Sequence, residues 1–188
     1  GYKIIRKLGA GAMATVFLAQ QESLDRPVAI KVLPKKFSEN VDFIERFYKE
    51  GRAAAKLNDA NIVQAYDVGQ SGDYHYFVME YVDGETVYDQ IINRGKLSEA
   101  EALPIIQQVA KALMHAHERG FIHRDIKPKN IMITKNGDVK LADLGLARAL
   151  DDREAAEAEA GRAYGTPYYI SPEQIRGRKN ITPAADLY

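Results

Sequence analysis

The chain contains no cysteine. That excludes a disulfide framework and any thiolate metal site, and it fits a reducing compartment. An excess of charge of either sign is also missing. Lys+Arg and Asp+Glu each number 26, for a formal net charge of zero, whereas a general nucleic-acid binder carries a basic excess. No apolar run approaches the roughly 20 residues needed to cross a bilayer, and the first residues do not read as a signal peptide. Neither an internal repeat nor a Pro-rich or Gly/Ser-rich linker interrupts the sequence. The 188 residues, 46% hydrophobic, suit one ordinary domain or two small lobes with a sizeable core.

What is present concentrates at residues 123–130, His-Arg-Asp-Ile-Lys-Pro-Lys-Asn, followed thirteen residues after Asn130 by Asp143-Leu144-Gly145. Asp125 supplies a carboxylate able to accept a hydroxyl proton, and Lys127 a cation able to neutralise a transferring phosphoryl group. Asn130 and Asp143 supply two oxygen ligands for a hard metal. His, Arg, Asp, Lys and Asn fall at these fixed spacings by chance, in a chain of this length, with odds on the order of 10⁻⁴ or less. Between the two motifs, Ile131-Met132-Ile133 and Val139-Lys140-Leu141 flank Lys135-Asn136-Gly137-Asp138. This is a hairpin signal, and a hairpin there returns the chain so that Asn130 and Asp143 can meet. His123 reads as a packing residue rather than a base.

Upstream, residues 2–8 and 15–19 read as strands around Gly9-Ala10-Gly11-Ala12-Met13-Ala14. Glycines at 9 and 11 let backbone N–H groups approach phosphate oxygens closely, although Gly-x-Gly alone also suits an ordinary tight hairpin. The strand at 27–33 carries Lys31 in an otherwise apolar run, which calls for an anionic partner, a solvent-lined cleft or an edge position. A helix over about 39–57 places Phe43, Phe47, Ala54 and Leu57 near one face and carries Glu45 and Glu50 among its acids. Strands at 62–68 and 74–81 follow, the second leaving into Asp83-Gly84. Ser98 and Glu101 form a capping box opening a helix to about Arg119, closed by Gly120. Its apolar face is read as Leu103, Ile106, Ala110, Leu113 and His117. His115 and His117, two apart, lie on different faces and do not share a metal.

The run at 123–130 resembles the catalytic loop of eukaryotic-type (Hanks-type) serine/threonine protein kinases, and the chain is most similar to the bacterial members. Gly9–Val16 resembles the glycine-rich loop, with Ala14 in place of its third glycine. Val28-Ala29-Ile30-Lys31 resembles V-A-I-K, and Asp143-Leu144-Gly145 resembles D-F-G with leucine in the middle. Gly165-Thr166-Pro167-Tyr168-Tyr169, Ser171-Pro172-Glu173 (standing for A-P-E) and Asp186 (for the helix-F aspartate) extend the likeness over essentially the whole chain. The resemblance implies an α+β, two-lobed fold. A small antiparallel sheet with one helix (residues 1–79) is joined by a hinge (80–84) to a mostly helical, incomplete lobe (85–188).

It further implies transfer of the ATP γ-phosphate to Ser or Thr of protein substrates, with Mg²⁺, and Mn²⁺ as an alternative. Asp125, Lys127, Asn130, Lys31, Glu50 and Thr166 would be catalytic. Leu8, Gly9, Gly11, Val16, Ala29, Lys31, Met79, Glu80, Val82, Met132 and Asp143 would bind the nucleotide, with Asn130 and Asp143 on the metal. Lys31 would contact the α/β-phosphates and pair with Glu50, Glu45 being the rival. The backbone of Glu80 and Val82 would bind adenine, Met79 would guard the pocket's back, and Met132 would pack beneath the ring. Thr166 would bond Asp125 and Lys127. No nucleic-acid partner is expected. A cytoplasmic location is, at the membrane face where a downstream anchor exists. The chain is expected to stop inside the central helix of the large lobe, leaving apolar surface exposed. A nucleotide-binding pseudokinase acting as a scaffold is the alternative, favoured by that truncation and by Ala14 and Leu144.

Residues 146–163 hold no Ser, Thr or Tyr but carry Asp151, Asp152, Glu154, Glu157 and Glu159. One reading puts a carboxylate near Arg124, where relatives place a phosphate. The other is a solvated surface segment.

Overall fold

The computed structural model describes residues 1–10, 14–33, 35, 41–143, 148–149, 161 and 165–188, and only the backbone at 42, 43, 46, 50, 53, 148 and 149. The chain divides into two compact units, Gly1–Lys56 with Val63–Val82, and Leu57–Ile62 with Asp83–Tyr188.

The first unit is a five-stranded antiparallel sheet with one helix. β1 (Tyr2–Ala10), β2 (Thr15–Gln21), β3 (Arg26–Val32), helix α1 (Val41–Ala55), β4 (Ala65–Ser71) and β5 (Tyr74–Glu80) follow in sequence, and the spatial order is β1-β2-β3-β5-β4. Alternation decides its faces. Ala19, Val28, Ile30 and Val78 pack together on one side with Tyr2, Val32 and Tyr76 against them. The other side receives α1. A Cβ at residue 51 would stand 2.4 Å from Val68 Cγ1 and 3.5 Å from Phe77 Cδ2, so glycine there admits the helix against β4 and β5. Phe47, Ala54 and Leu57 are buried, as their spacing predicts; the side chain of Phe43 lies outside the described residues. Tyr48 completes the docking, its hydroxyl 2.9 Å from Nδ1 of the buried His75.

β4 starts at Ala65 rather than at the expected 62. Residues 57–62, inside the span expected of the first lobe, cluster with the second unit instead. There Leu141 N–H donates to the Asn61 carbonyl at 2.7 Å, and Ile62 bridges Leu141 in parallel.

The second unit contains β6 (Gly84–Thr86), helices α2 (Val87–Arg94) and α3 (Glu99–Glu118), β7 (Phe121–Ile122), β8 (Ile131–Thr134), β9 (Val139–Leu141), β10 (Arg148–Ala149) and the short α4 (Pro172–Ile175). 3-10 turns occupy Pro128–Asn130 and Pro183–Asp186. β6, β8 and β9 make one sheet, and β7 pairs with β10. Helix α2 has no counterpart in the sequence reading. It is nevertheless announced by a capping box, Thr86 with Asp89.

Helix α3 has the bounds and the Ser98–Glu101 box that the sequence predicts, and Gly120 (φ 76°) follows it. Its buried face differs. Val109, Ala112, Leu113 and Ala116 are buried, while Leu103 and Ile106 are 52% and 58% exposed. Of the expected stripe Leu113 is buried, whereas Ile106 and Ala110 line an open groove with Leu97, Ile105, Tyr169 and Leu187.

Candidate active site

The turn from α3 into β7 delivers the chain to His123, which is 1% exposed. Its Nδ1 accepts from Asp125 N–H at 3.3 Å and its Nε2–H donates to the Ala142 carbonyl at 3.2 Å. With both ring nitrogens committed to backbone, His123 is a packing residue, as its sequence context suggested. Arg124 follows in a left-handed conformation, φ 66°, and is buried. For a residue with a Cβ this costs roughly 1–2 kcal/mol, and bonds on both sides hold it there. Asp186 Oδ1 accepts from Arg124 N–H at 2.6 Å and Oδ2 from His123 N–H at 2.9 Å. Gln174 Nε2 donates to the Arg124 carbonyl at 2.9 Å. Asp186 is itself steadied by His117 Nε2 at 2.7 Å.

The payload of this strained turn is Asp125, 8% exposed. Thr166 donates its hydroxyl to Asp125 Oδ1 at 2.7 Å and accepts from Lys127 Nζ at 2.7 Å; Lys127 Nζ also reaches Asp125 Oδ2 at 2.5 Å. The three side chains close a triangle. It lies largely out of water, where charge-assisted hydrogen bonds are strong. The Asn130 amide nitrogen donates to the Asp125 backbone carbonyl at 2.9 Å and to Oδ2 at 3.2 Å, which turns Asn130 Oδ1 away from the carboxylate.

The hairpin of β8 and β9 then does what its sequence predicts. Ala142 N–H donates to the Asn130 carbonyl at 2.8 Å, so Asp143 emerges one residue from Asn130's backbone. Asp143 is itself left-handed, φ 63°, a conformation that Asp tolerates better than most residues. An amide oxygen and a carboxylate suit a hard divalent cation that keeps waters and substrate phosphates for its remaining positions. Among the described residues no group of three His, Cys, Asp or Glu could enclose an ion alone. This donor set fits a metal shared with a phosphate.

In the first unit the sheet register gathers the other predicted residues. Val16 pairs with Lys31, Lys31 with Phe77, and Ala29 with Met79. Paired residues share a face, so Val16, Ala29, Lys31 and Met79 project to the side that carries α1. The β1–β2 register shifts between Lys7 and Gly9, which makes Leu8 a bulge residue beside the Gly9–Val16 pair. Glu80 N–H is committed to the Gln64 carbonyl at 2.8 Å, and Val82 is buried. In the second unit Met132 lies on β8 opposite Thr86 and Lys140. Gly11, the Glu50 side chain, Leu144, Gly145 and the acidic residues 151–159 lie outside the described residues. Sequence reasoning gave no role to Gln174, although Ser171-x-x-Gln174 is a capping box that pointed to a structured segment.

The sequence model described as protein kinase domain matches residues 2–188. The serine/threonine-protein kinase PrkC of Bacillus subtilis (strain 168) is 42% identical over 187 residues, a stretch covering 100% of this chain and 28% of that protein. PknL of Mycobacterium tuberculosis (strain H37Rv) is 39% identical over 187 residues, 100% of this chain and 46% of its own. For pkn2 of Myxococcus xanthus the values are 39% over 191 residues, with 100% and 23% covered. The chain therefore spans less than half the length of these relatives. With a match running from the second residue to the last, through a loop of this geometry, the chain belongs to the protein kinase domain family.

Proposed function

We propose that the chain carries the catalytic centre of a serine/threonine protein kinase, transferring the γ-phosphate of ATP to Ser or Thr hydroxyls of protein substrates with Mg²⁺, Mn²⁺ being the alternative. The observation that carries this is the closed Asp125–Lys127–Thr166 triangle, with Asn130 bonded to the same carboxylate. The acceptor hydroxyl forms a bond to phosphorus as the bond to the β-phosphate oxygen breaks. Its proton passes to Asp125, and ADP is the leaving group. Lys127 balances charge that builds on the phosphoryl oxygens, while Thr166 fixes the direction in which the carboxylate points. Asn130 and Asp143 would hold the cation, whose contribution is to neutralise phosphate charge. Lys31, paired with Glu50, would set the α/β-phosphates. Leu8, Gly9, Gly11, Val16, Ala29, Met79, Glu80, Val82 and Met132 would enclose the nucleotide.

The proposed partners are protein substrates. Among the described residues no helix is long and apolar enough to cross a membrane; the proposed location is the cytoplasm, or the cytoplasmic face of a membrane where an anchor exists.

Labelled ATP and a generic basic protein test the reading. Asp125→Asn should lower labelling about 100-fold or more relative to the wild type, the usual scale of a lost proton acceptor. Equal labelling by both proteins would replace catalysis with the nucleotide-binding scaffold.

A further inference from the structure

We propose that Gln174 is a positioning residue for phosphoryl transfer, holding the Arg124–Asp125 peptide in the orientation that aims Asp125. The proposal rests on the reading of Asp125 as the proton acceptor. Arg124 is the strained residue of the loop, and the carbonyl that Gln174 Nε2 grips at 2.9 Å belongs to the peptide joining Arg124 to Asp125. That peptide is planar. Fixing its carbonyl therefore also fixes the Asp125 N–H, which donates to His123 Nδ1 at 3.3 Å, and with it the direction in which Asp125 leaves the backbone. Asp186 holds the opposite side of Arg124 through its N–H. Removing either hold lets the left-handed turn relax toward ordinary backbone angles.

Gln174 is built for this task. It is 4% exposed, and its Oε1 accepts from Ser171 N–H at 3.3 Å and Ser171 Oγ at 3.0 Å, so the amide is fixed at its far side as well. Ser171 is fully buried. Gln174 follows Thr166 by eight residues. One stretch of chain thus meets the catalytic loop twice, Thr166 at the Asp125 carboxylate and Gln174 at its peptide.

The discriminating variant is Gln174→Glu, which keeps the shape and the accepting oxygen that Ser171 needs. A neutral glutamic acid can still donate one O–H to the Arg124 carbonyl, whereas the carboxylate cannot donate at all. A buried glutamic acid can titrate as high as about 8–9, so kcat is measured for wild type and variant in the intact protein from about pH 5 to 9, with a generic basic protein as acceptor. Asp125, Asp186, His117 and His123 surround the loop in both proteins, so the ratio of variant to wild-type kcat is read rather than either profile alone.

The expected ratio of variant to wild-type kcat falls about tenfold from the acidic to the basic end, while KM for ATP changes less than about twofold. Amide exchange at residues 124–126 matches the wild type at the acidic end and exceeds it, compared at equal pH, at the basic end. Gln174→Met, which donates nothing, stays about tenfold low at every pH. A Gln174→Glu ratio independent of pH, at whatever level, overturns the proposal. Should Asp125→Asn keep wild-type turnover, the reading beneath it falls too, whereas loss in Asp125→Asn with a pH-independent Glu ratio removes Gln174 alone.

Discussion

Thr166 shows how much one hydroxyl can organise. It donates to one oxygen of Asp125 and accepts from the ammonium that contacts the other. Without it the carboxylate keeps its cation but loses the bond that sets its rotation. Thr166→Val should lower kcat about 10- to 100-fold, the rate equivalent of the about 1.5–3 kcal/mol carried by a hydrogen bond to a charged group. Thr166→Ser should restore most of it, because the oxygen and not the methyl makes both bonds. Steady-state kinetics beside melting midpoints check this; a loss of rate matched by a collapse in stability would mean that the residue only props up the fold. Residues of this kind were legible in the sequence because their chemistry is carried by side chains in a compact motif, Asp125, Lys127 and Asn130 falling within six positions. Gln174 was not legible as a partner of the loop. Its bond goes to a backbone carbonyl 50 residues away, and a side-chain string records nothing about backbone acceptors.

Elements tell a similar story, with capping as the clearest signal. Ser98 and Glu101 announce α3 from four residues of sequence: Ser98 N–H donates to Glu101 Oε2 at 2.9 Å, the reach-back bond of the box, and Ser98 Oγ–H donates to the same oxygen at 2.6 Å. The same signature at Thr86 and Asp89 opens α2, directly behind the turn signal of Asp83-Gly84. Where the buried stripe of α3 lies depends on what packs against each turn, which periodicity cannot supply. The Ser98 bonds, and then the Arg94 guanidinium, lower the Glu101 carboxyl from 4.5 to about 2. A depressed value in the folded state gives stability that is fully present above 4.5 and lost as the pH falls through about 2. Glu101→Gln preserves an accepting oxygen but cannot titrate. The midpoint difference between wild type and Glu101→Gln should therefore be constant above about pH 5 and shrink as the pH falls toward about 2. Parallel curves over that range would show that the box contributes nothing through its charge.

At the scale of the whole molecule, motifs were enough to read a sheet-rich first unit and a mainly helical second one, because each strand and each cap is local. They were not enough to assign residues 57–62. Asn61 is the reason that segment belongs to the second unit: its Nδ2 donates to Gln108 Oε1 at 3.0 Å and to the Val139 carbonyl at 2.8 Å, while Gln108 Oε1 also accepts from Val139 N–H at 2.9 Å. These bonds span 47 and 78 residues of sequence, which no local pattern encodes. They clamp a segment of non-local origin onto α3 and β9, beside the fully buried Val139 and Leu141. Asn61→Ala strips the Val139 carbonyl of a partner in a dry setting, at a cost of about 1–3 kcal/mol. The effect should be regional. Hydrogen exchange should accelerate at Leu141, whose N–H bonds the Asn61 carbonyl, and along α3, while the sheet of β1 to β5 keeps its protection. Acceleration spread evenly over both units would instead mean that they open as one cooperative body, and that the clamp at Asn61 belongs to the whole chain and not to its second unit.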